Sequence, residues 1–562
     1  MTRSPIDRVV AAAICGAVSV VTILFSTRQG IARDEAYYMN AGERYVAYFD
    51  DLLTGRLKNP LSRESIDRYW SYNAEHPPLF KLLYGTSWRA LHRCTCAIDN
   101  RWHPVVARLA AGQHSTIGLL SELTAFRLPT AVTFGWLCAL AYLFYVDALG
   151  SRRGAIVAAL LMFAQPRAFF HAQTASFDLP VAALWFATMY AYWRALGAES
   201  WRGAIVTGLL FGLTLATKLQ SAVLPLALGA HWGWLAWMRH RQDRSNPDVR
   251  PLLSMLAAPI VLLGMWPWLW HDTLSRVRNY LAFHWNHEQY NFEYFGRNYN
   301  QPPFPWHEPL GMLVVTAPVI LLVTAAAGIL LLMRSSVKDD DRSTRALLLL
   351  SGALPIAVFM GGRLPIYGET KHWLATMPFL TLAAGYAIDR LGASLESELR
   401  IVGSGRRLAM SAALVLVAFV PAAAETLRSH PYGLSHYNAL AGGAPGGADL
   451  GMNRQFWGYS VKGLLPWLNQ RLPPRATLYL HDTNEDSYNL YMRSRALRDD
   501  IVDASSIGEP GTRFVSDAAL VIHEKHFDDV DFRIWETYGH VQPAQVLTLD
   551  GVPLVSVYLR NP

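Results

Sequence analysis

Long apolar runs recur along most of the chain, separated by short polar segments, and they limit its fold more than any other feature. They lie near 9–26, 127–147, 154–170, 178–196, 203–217, 219–238, 252–270, 309–333, 345–362, 372–390 and 405–424. Such runs approach or exceed the ~18 apolar residues with which a helix crosses ~30 Å of hydrocarbon. Composition agrees: 52% of the 562 residues are hydrophobic and only 17% are charged, where a soluble globular chain carries about 25% charged residues. The 19 Trp and 25 Tyr suit membrane–water interfaces, where amphipathic rings collect. The pattern predicts a polytopic α-helical membrane protein with about eleven spans.

Charge then orients the chain. The formal net charge is +7, which in a soluble protein would raise nucleic acid as a partner. Here the basic residues sit in short loops between apolar runs, and no nucleic acid is expected. Arg152/Arg153, Arg194/Arg202, Arg239–Arg250, Arg334–Arg345 and Arg390–Arg407 all fall on one side of an eleven-span chain, together with Arg3 and Arg8. The positive-inside rule makes that side cytoplasmic, with the C-terminus outside. The apolar run after Arg8 is longer than a usual signal h-region and no A-x-A-like site closes it, so it reads as an uncleaved first helix.

Three large pieces are then extracytoplasmic. The loop 27–126 contains the amphipathic stretches Ala36–Asp51 and Leu79–Leu91, suited to lying along an interface. The loop 271–308 is rich in aromatic, His, Asn and Pro residues. The tail 425–562 has no spanning run and alternates strand-like (Ala476–Leu480, Ala519–Ile522, Leu554–Leu559) and helix-like (Val461–Gln470, Tyr488–Leu497) patterns, as a small α/β domain would. The expected division is a membrane domain over 1–424 and a soluble domain over 425–562. Cys94 and Cys96 are too close for a comfortable mutual disulfide and too few for zinc, and Cys15 and Cys138 lie in apolar runs, so no cysteine is expected to function.

Ionisable residues at the outer ends of apolar runs are the candidates for chemistry, because charge beside hydrocarbon is costly unless solvated or used. Asp34 and Glu35 follow the first run. They serve either as helix-capping acids or as a catalytic carboxylate, and adjacent helical residues point ~100° apart, so one acid faces a given substrate atom and the other makes structural bonds. Glu75-His76-Pro77-Pro78 places an acid and an imidazole at a helix start. Asp178 opens a run, as an N-cap, a second active-site acid, or both. Lys218, Arg363 and Lys371 sit at outward tips, to reach headgroups or to bind a phosphate. His284-x-x-His287 has ligand spacing for a metal, against the plainer reading of incidental histidines in a wet aromatic loop.

In this order, Asp-Glu-Ala-Tyr-Tyr (34–38), Glu-His-Pro-Pro-Leu (75–79), Phe-Asp-Leu-Pro (177–180) and Thr-Lys (217–218) resemble the GT-C superfamily of glycosyltransferases. The chain looks like the branch holding dolichyl-phosphate-mannose-protein mannosyltransferases and the aminoarabinose transferases of lipid A, over roughly 1–390. The tail stretch His430–Asn438 and Trp457-Gly458 resemble uncharacterised bacterial members. The resemblance implies a GT-C fold and a polyprenyl-phosphate sugar donor, undecaprenyl-phosphate in a bacterium, used on the periplasmic face of the inner membrane. It implies that Asp34 is the first-loop catalytic acid, that Glu75 is an active-site acid beside a metal, and that Asp178 is the acid heading the fourth span. Lys218 would contact the carrier phosphate, and Lys371-His372-Trp373-Leu374 would open a late helix. His76 stands where the aminoarabinose transferases have lysine, which puts a lipid A acceptor in doubt.

The chemistry points the same way. A polyprenyl-phosphate sugar carries a leaving group that is stable as an anion, so it needs cations rather than a general acid. The acceptor hydroxyl needs one base. Asp34 would be that base, with Glu35 and Asp178 the accompanying acids, Lys218, Arg363 and Lys371 the phosphate site, and Glu75, His76, His284 and His287 contacting substrate or a divalent metal, in one inverting displacement. The competing readings are a transporter or flippase of lipid-linked sugars, an inactive relative acting as a scaffold, and an oligosaccharide transferase with a pyrophosphate-linked donor. The sugar, the acceptor, metal dependence and the role of the tail stay open at this level.

Overall fold

A computed structural model describes residues 4–92, 119–334, 339–366, 368–504, 516–524 and 528–560. Cys94 and Cys96 lie outside the described residues. Every one of the apolar runs is helical. Serine hydroxyls start several of the helices by accepting a first-turn N–H: Ser4 before Pro5–Ser26, Ser121 before Glu122–Leu149, Ser151 before Arg152–Phe163 and Ser200 before Trp201–Leu215.

Among the described residues several of the apolar runs are broken into more than one helix. Four helices among the described residues are long and apolar enough to cross a membrane singly: Pro5–Ser26, Glu122–Leu149, Arg342–Phe359 and Ser404–Ser429. A fifth span results if Arg152–Phe163 and Pro166–Ala172, bent by 70°, count as one. Prolines account for the breaks. Lacking an N–H and clashing with the carbonyl four residues back, proline starts a helix more readily than it continues one. Pro166 opens the second half of the bent pair, and Pro318 separates Glu308–Thr316 from Val319–Arg334. Pro267 begins a 3-10 turn after Ala258–Met265, and Pro378 sits where a 3-10 segment, Glu369–Thr376, becomes the helix Met377–Glu398. The chain is a multi-pass membrane protein built partly from broken helices. The first helix packs along Glu122–Leu149, and Met377–Glu398 packs against both Val319–Arg334 and Arg152–Phe163.

After the first helix come Arg33–Leu53, Arg63–Trp70 and Leu79–Leu91. The loop after Pro267–Trp270 folds into the helix Thr273–Trp285 and a hairpin of β1 (Phe292–Tyr294) and β2 (Arg297–Tyr299). The tail holds a five-stranded sheet of β3 (Thr477–Leu480), β4 (Val502–Asp503), β5 (Ala518–Ile522), β6 (Gln545–Leu549) and β7 (Val552–Leu559), in the order β4-β3-β5-β7-β6. β3 is parallel to β4 and β5, while β7 is antiparallel to β5 and β6. Helix Glu485–Arg493 follows β3, and Asp528–Tyr538 follows β5.

The sheet does not stand apart from the rest. One apolar cluster joins Leu478, Leu480, Leu520, Ile522 and Val555 of the sheet to Ala36, Met39, Phe80 and Tyr84 of the first loop. Polar contacts line the same seam. The Arg33 N–H donates to the Trp457 carbonyl at 3.0 Å, and the Tyr491 hydroxyl accepts from the Ile31 N–H at 2.8 Å. Asn484 donates to the Arg33 carbonyl at 2.9 Å, and Lys462 donates to the carbonyls of Thr27 (2.7 Å) and Gln29 (3.0 Å). Gly30 permits this approach, since a Cβ there would lie 1.7 Å from the Tyr459 carbonyl oxygen. The tail therefore forms a wall over the start of helix Arg33–Leu53.

Candidate active site

The helix Arg33–Leu53 begins with two carboxylates that the fold treats differently. Glu35 has no exposed surface and is fully occupied. Its Oε1 accepts from Arg127 Nε and from the Ala175 N–H, both at 2.7 Å. Its Oε2 accepts from Arg127 Nη2 at 2.8 Å and from the Ala32 N–H at 3.1 Å. Arg127 also donates to the carbonyls of Ser26, Gln29 and Gly30. The pair ties the exit of the first helix to Glu122–Leu149. Glu35, expected among the catalytic acids, is thus a brace: none of its lone pairs faces an open volume.

Asp34 is 26% exposed at its side chain. Its Oδ2 accepts from the Trp457 indole N–H at 2.9 Å, and Arg33 Nε stands 3.9 Å from Oδ1. Arg33 itself is drawn away to Asp482 of the tail at 2.6 Å. Caught between two carboxylates, its guanidinium is held above its ordinary range even though burial opposes this. Burial pushes Asp482 upward, against the pull of Arg33.

Asp178 lies nearby, buried at the start of Asp178–Ala198. It does not serve as the N-cap, a position held by Phe177 without a side-chain bond. Its carboxylate instead pairs with Lys218 at 2.6 Å, with His171 Nδ1 3.9 Å away. Lys218 follows the end of Trp201–Leu215 and is half-buried. Lys371, in the 3-10 segment before Met377–Glu398, is buried with its ammonium 4.1 Å from the Trp457 ring centroid and 5.0 Å from that of Phe456. Burial pulls this amine down to about 8, while Asp34 and Asp178 pull it up and Lys218 and Arg33 oppose them. Gly368, at φ +74°, makes the turn that admits it, since a Cβ there would meet the lysine stem at 2.6 Å. Asp34, Asp178, Lys218 and Lys371, chosen from distant parts of the sequence, are brought to one place.

Arg363 is exposed, and among the described residues no hydrogen bond or ion pair joins it to this cluster. The Glu75–His76 turn is close by but engaged. Glu75 accepts from Asn73 at 2.6 Å, and Lys81 clamps the turn through the carbonyls of Asn73 (2.6 Å) and His76 (2.7 Å). Burial pulls the Lys81 amine down to about 7. The His76 ring packs edge-on to Tyr38 and lies 5.8 Å from the His284 ring. Enclosure holds the His76 imidazole well below its usual range, with Lys81, His284 and Lys218 adding to the effect. His284 Nε2 meets the Glu75 carbonyl at 3.0 Å, and burial takes this imidazole down to about 4. His287 Nδ1 meets the Glu288 carbonyl at 2.7 Å. Among the described residues no group of three or more His, Cys, Asp or Glu side chains is placed to hold a metal.

Four functional neighbours escaped the reading of site chemistry from sequence: Arg33, Arg127, Trp457 and Asp482. Only Arg127 carries a local signal, because an arginine in an apolar run demands a buried partner.

The cluster can do a limited kind of chemistry. A half-open carboxylate can accept a proton, and two lysine ammonium groups can receive an anion. No curated protein matches the chain. Among solved structures it is similar to ArnT from Cupriavidus metallidurans bound to undecaprenyl phosphate, at 14% identity over 97% of each chain and a TM-score of 0.49. It is similar to the Archaeoglobus fulgidus oligosaccharyltransferase in its apo form, at 11% identity over 94% of this chain and 72% of that one, with a TM-score of 0.49. The stretch 103–271, which carries Asp178 and Lys218, matches the family model of the dolichyl-phosphate-mannose-protein mannosyltransferases.

Proposed function

We propose that the chain is an integral-membrane glycosyltransferase that moves a sugar from a polyprenyl-phosphate carrier to an acceptor hydroxyl on the extracytoplasmic face. The observation that carries this reading is the juxtaposition of one half-open carboxylate, Asp34, with the buried cation Lys371 and the Asp178–Lys218 pair. The family match over 103–271 supports it.

In this reading Asp34 orients the acceptor hydroxyl and takes its proton as the oxygen attacks the anomeric carbon. The new C–O bond forms as the bond from that carbon to the carrier phosphate breaks. The phosphate leaves as an anion, and Lys371 and Lys218 receive its charge. Interactions with charge that develops during the reaction accelerate it more than interactions with the ground state. Asp178 keeps Lys218 in place. One attack with one departing group inverts the anomeric centre. A monophosphate donor suits Lys218 and Lys371, and the basic loops favour a cluster turned away from the cytoplasm, at the inner membrane of a bacterium. No metal is assigned a role.

Membranes containing the wild-type chain or Asp34→Ala, supplied with radiolabelled undecaprenyl-phosphate sugars and extracted envelope material, test the reading. Label transferred by the wild type and lost in the variant is the expected result. A fully active, folded Asp34→Ala chain would sink the assignment.

A further inference from the structure

Trp457 belongs to the tail, more than four hundred positions from Asp34, yet it is bound to that end of the first loop by both backbone and side chain. Its carbonyl accepts from the Arg33 N–H and its indole N–H donates to Asp34 Oδ2. One face of the ring lies against the Lys371 ammonium, and the His171 ring meets it nearly edge-on at 5.7 Å. His171 in turn neighbours Asp178. The indole therefore touches the carboxylate, one cation and the neighbour of the second acid.

The backbone at this point is unusual. Trp457 has φ +76°, a left-handed conformation that a bulky side chain adopts only when its surroundings impose it. Gly458 follows at φ +68°, where a Cβ would lie 2.4 Å from the Asp482 carbonyl oxygen. Trp457 as a whole is 2% exposed. Such a conformation is retained where it aims a side chain, and here the side chain is aimed at the open acid.

We propose that Trp457 is a positioning residue for the reaction above: its indole N–H sets the rotation of the Asp34 carboxylate while its ring face seats Lys371, so that base and cation are held as one unit. The inference rests on the glycosyl-transfer reading and assigns the tail a part in it. A hydrogen bond to the charged form of a carboxylate favours that form. Removing the N–H while keeping the ring takes away the bond that fixes the Asp34 carboxylate. The charged and titratable groups that act on Asp34 are Arg33, Tyr37, Tyr290, Lys371 and Asp482, and none is altered by that change.

The test uses the full chain in detergent. Carbodiimide labels carboxyl groups that it can reach, so peptide mass spectrometry of Asp34 labelling at a fixed pH follows how firmly the carboxylate is held. Trp457→Phe removes the N–H. Benzothienylalanine at the same position, with sulfur in place of the N–H, keeps the shape of the indole and serves where the Phe chain does not fold. Asp34 labelling should rise and kcat should fall by about 10²-fold, with the donor KM unchanged. Unchanged labelling in the variant of a wild type that transfers sugar would overturn the inference alone. Raised labelling in a chain whose wild type transfers nothing would overturn the functional reading and, with it, the catalytic meaning of this seat.

Discussion

Glu35 has no exposed surface, and both its oxygens accept from Arg127 and from backbone N–H groups. Asp34, one residue earlier in the same helical turn, is about a quarter exposed and holds one close hydrogen bond, from an indole. The first acid closes a joint between helices; the second lies near Lys371. What separates them is the direction in which consecutive helical residues point, together with the partner each direction meets. A buried, fully bonded ion pair has no lone pair left for substrate. A half-open carboxylate beside cations can exchange a proton. The contrast teaches that acidity next to a membrane marks a site only when its partners leave it room.

Breaking the closed side should give the largest effect. Glu35→Ala strands the Arg127 guanidinium in the interior, and losing one member of a buried pair costs about 3–5 kcal/mol. Thermal unfolding in detergent should show the single variant failing to give a stable preparation. The double variant Glu35→Ala/Arg127→Met should recover part of the loss, because it removes the stranded charge as well.

Breaking the open side should leave the fold and remove the activity. Lys371→Met should lower transfer by about 10²–10³-fold, the scale found when one electrostatic contact to developing charge is lost, with the unfolding temperature little changed. The same lysine predicts a pH dependence. Burial has lowered its amine to about 8, so the cation is present below that pH and lost as pH rises through it. Transfer should fall about tenfold per unit above this point, since each unit reduces the protonated fraction tenfold. Lys371→Arg should abolish that limb, because a guanidinium stays charged.

Much of this was legible in the sequence for a local reason. Periodicity and apolar length belong to neighbouring residues, so Leu79–Leu91 and the apolar helices appear where the pattern puts them. Asp34, Asp178, Lys218 and Lys371 were recognisable as ionisable residues at the ends of apolar runs. What stayed hidden depends on distant packing. The fate of Glu35 is decided by Arg127, 92 positions later, and the aim of Asp34 by Trp457, 423 positions later. His284 and His287 have ligand spacing, but each gives a ring nitrogen to a backbone carbonyl. The breaks within the apolar runs were not legible because proline leaves their composition unchanged while splitting the helix. In the tail, β4 is two residues long and β6 lies half-exposed at an edge, too weak a pattern to read as strands.

The smallest effect should come from the rim of the seam between tail and first loop. Arg493 pairs with Glu43 at 2.8 Å and with Glu122, but its side chain is 39% exposed. Exposed pairs of this kind contribute about 0–1 kcal/mol. Arg493→Ala should leave transfer intact and shift thermal unfolding by at most a few degrees, in contrast with the buried contacts of the same seam.

The most direct measurement compares the two neighbours in one experiment: Asp34→Asn and Glu35→Gln, each assayed for sugar transfer and for thermal unfolding in the same detergent. Asp34→Asn should unfold like the wild type and lose about 10²–10⁴-fold in transfer, the range set by loss of a general base. Glu35→Gln should unfold at lower temperature, and whatever fraction stays folded should transfer sugar at close to the wild-type rate. An active Asp34→Asn chain, or a stable but inactive Glu35→Gln chain, would contradict the division of roles proposed for these two acids.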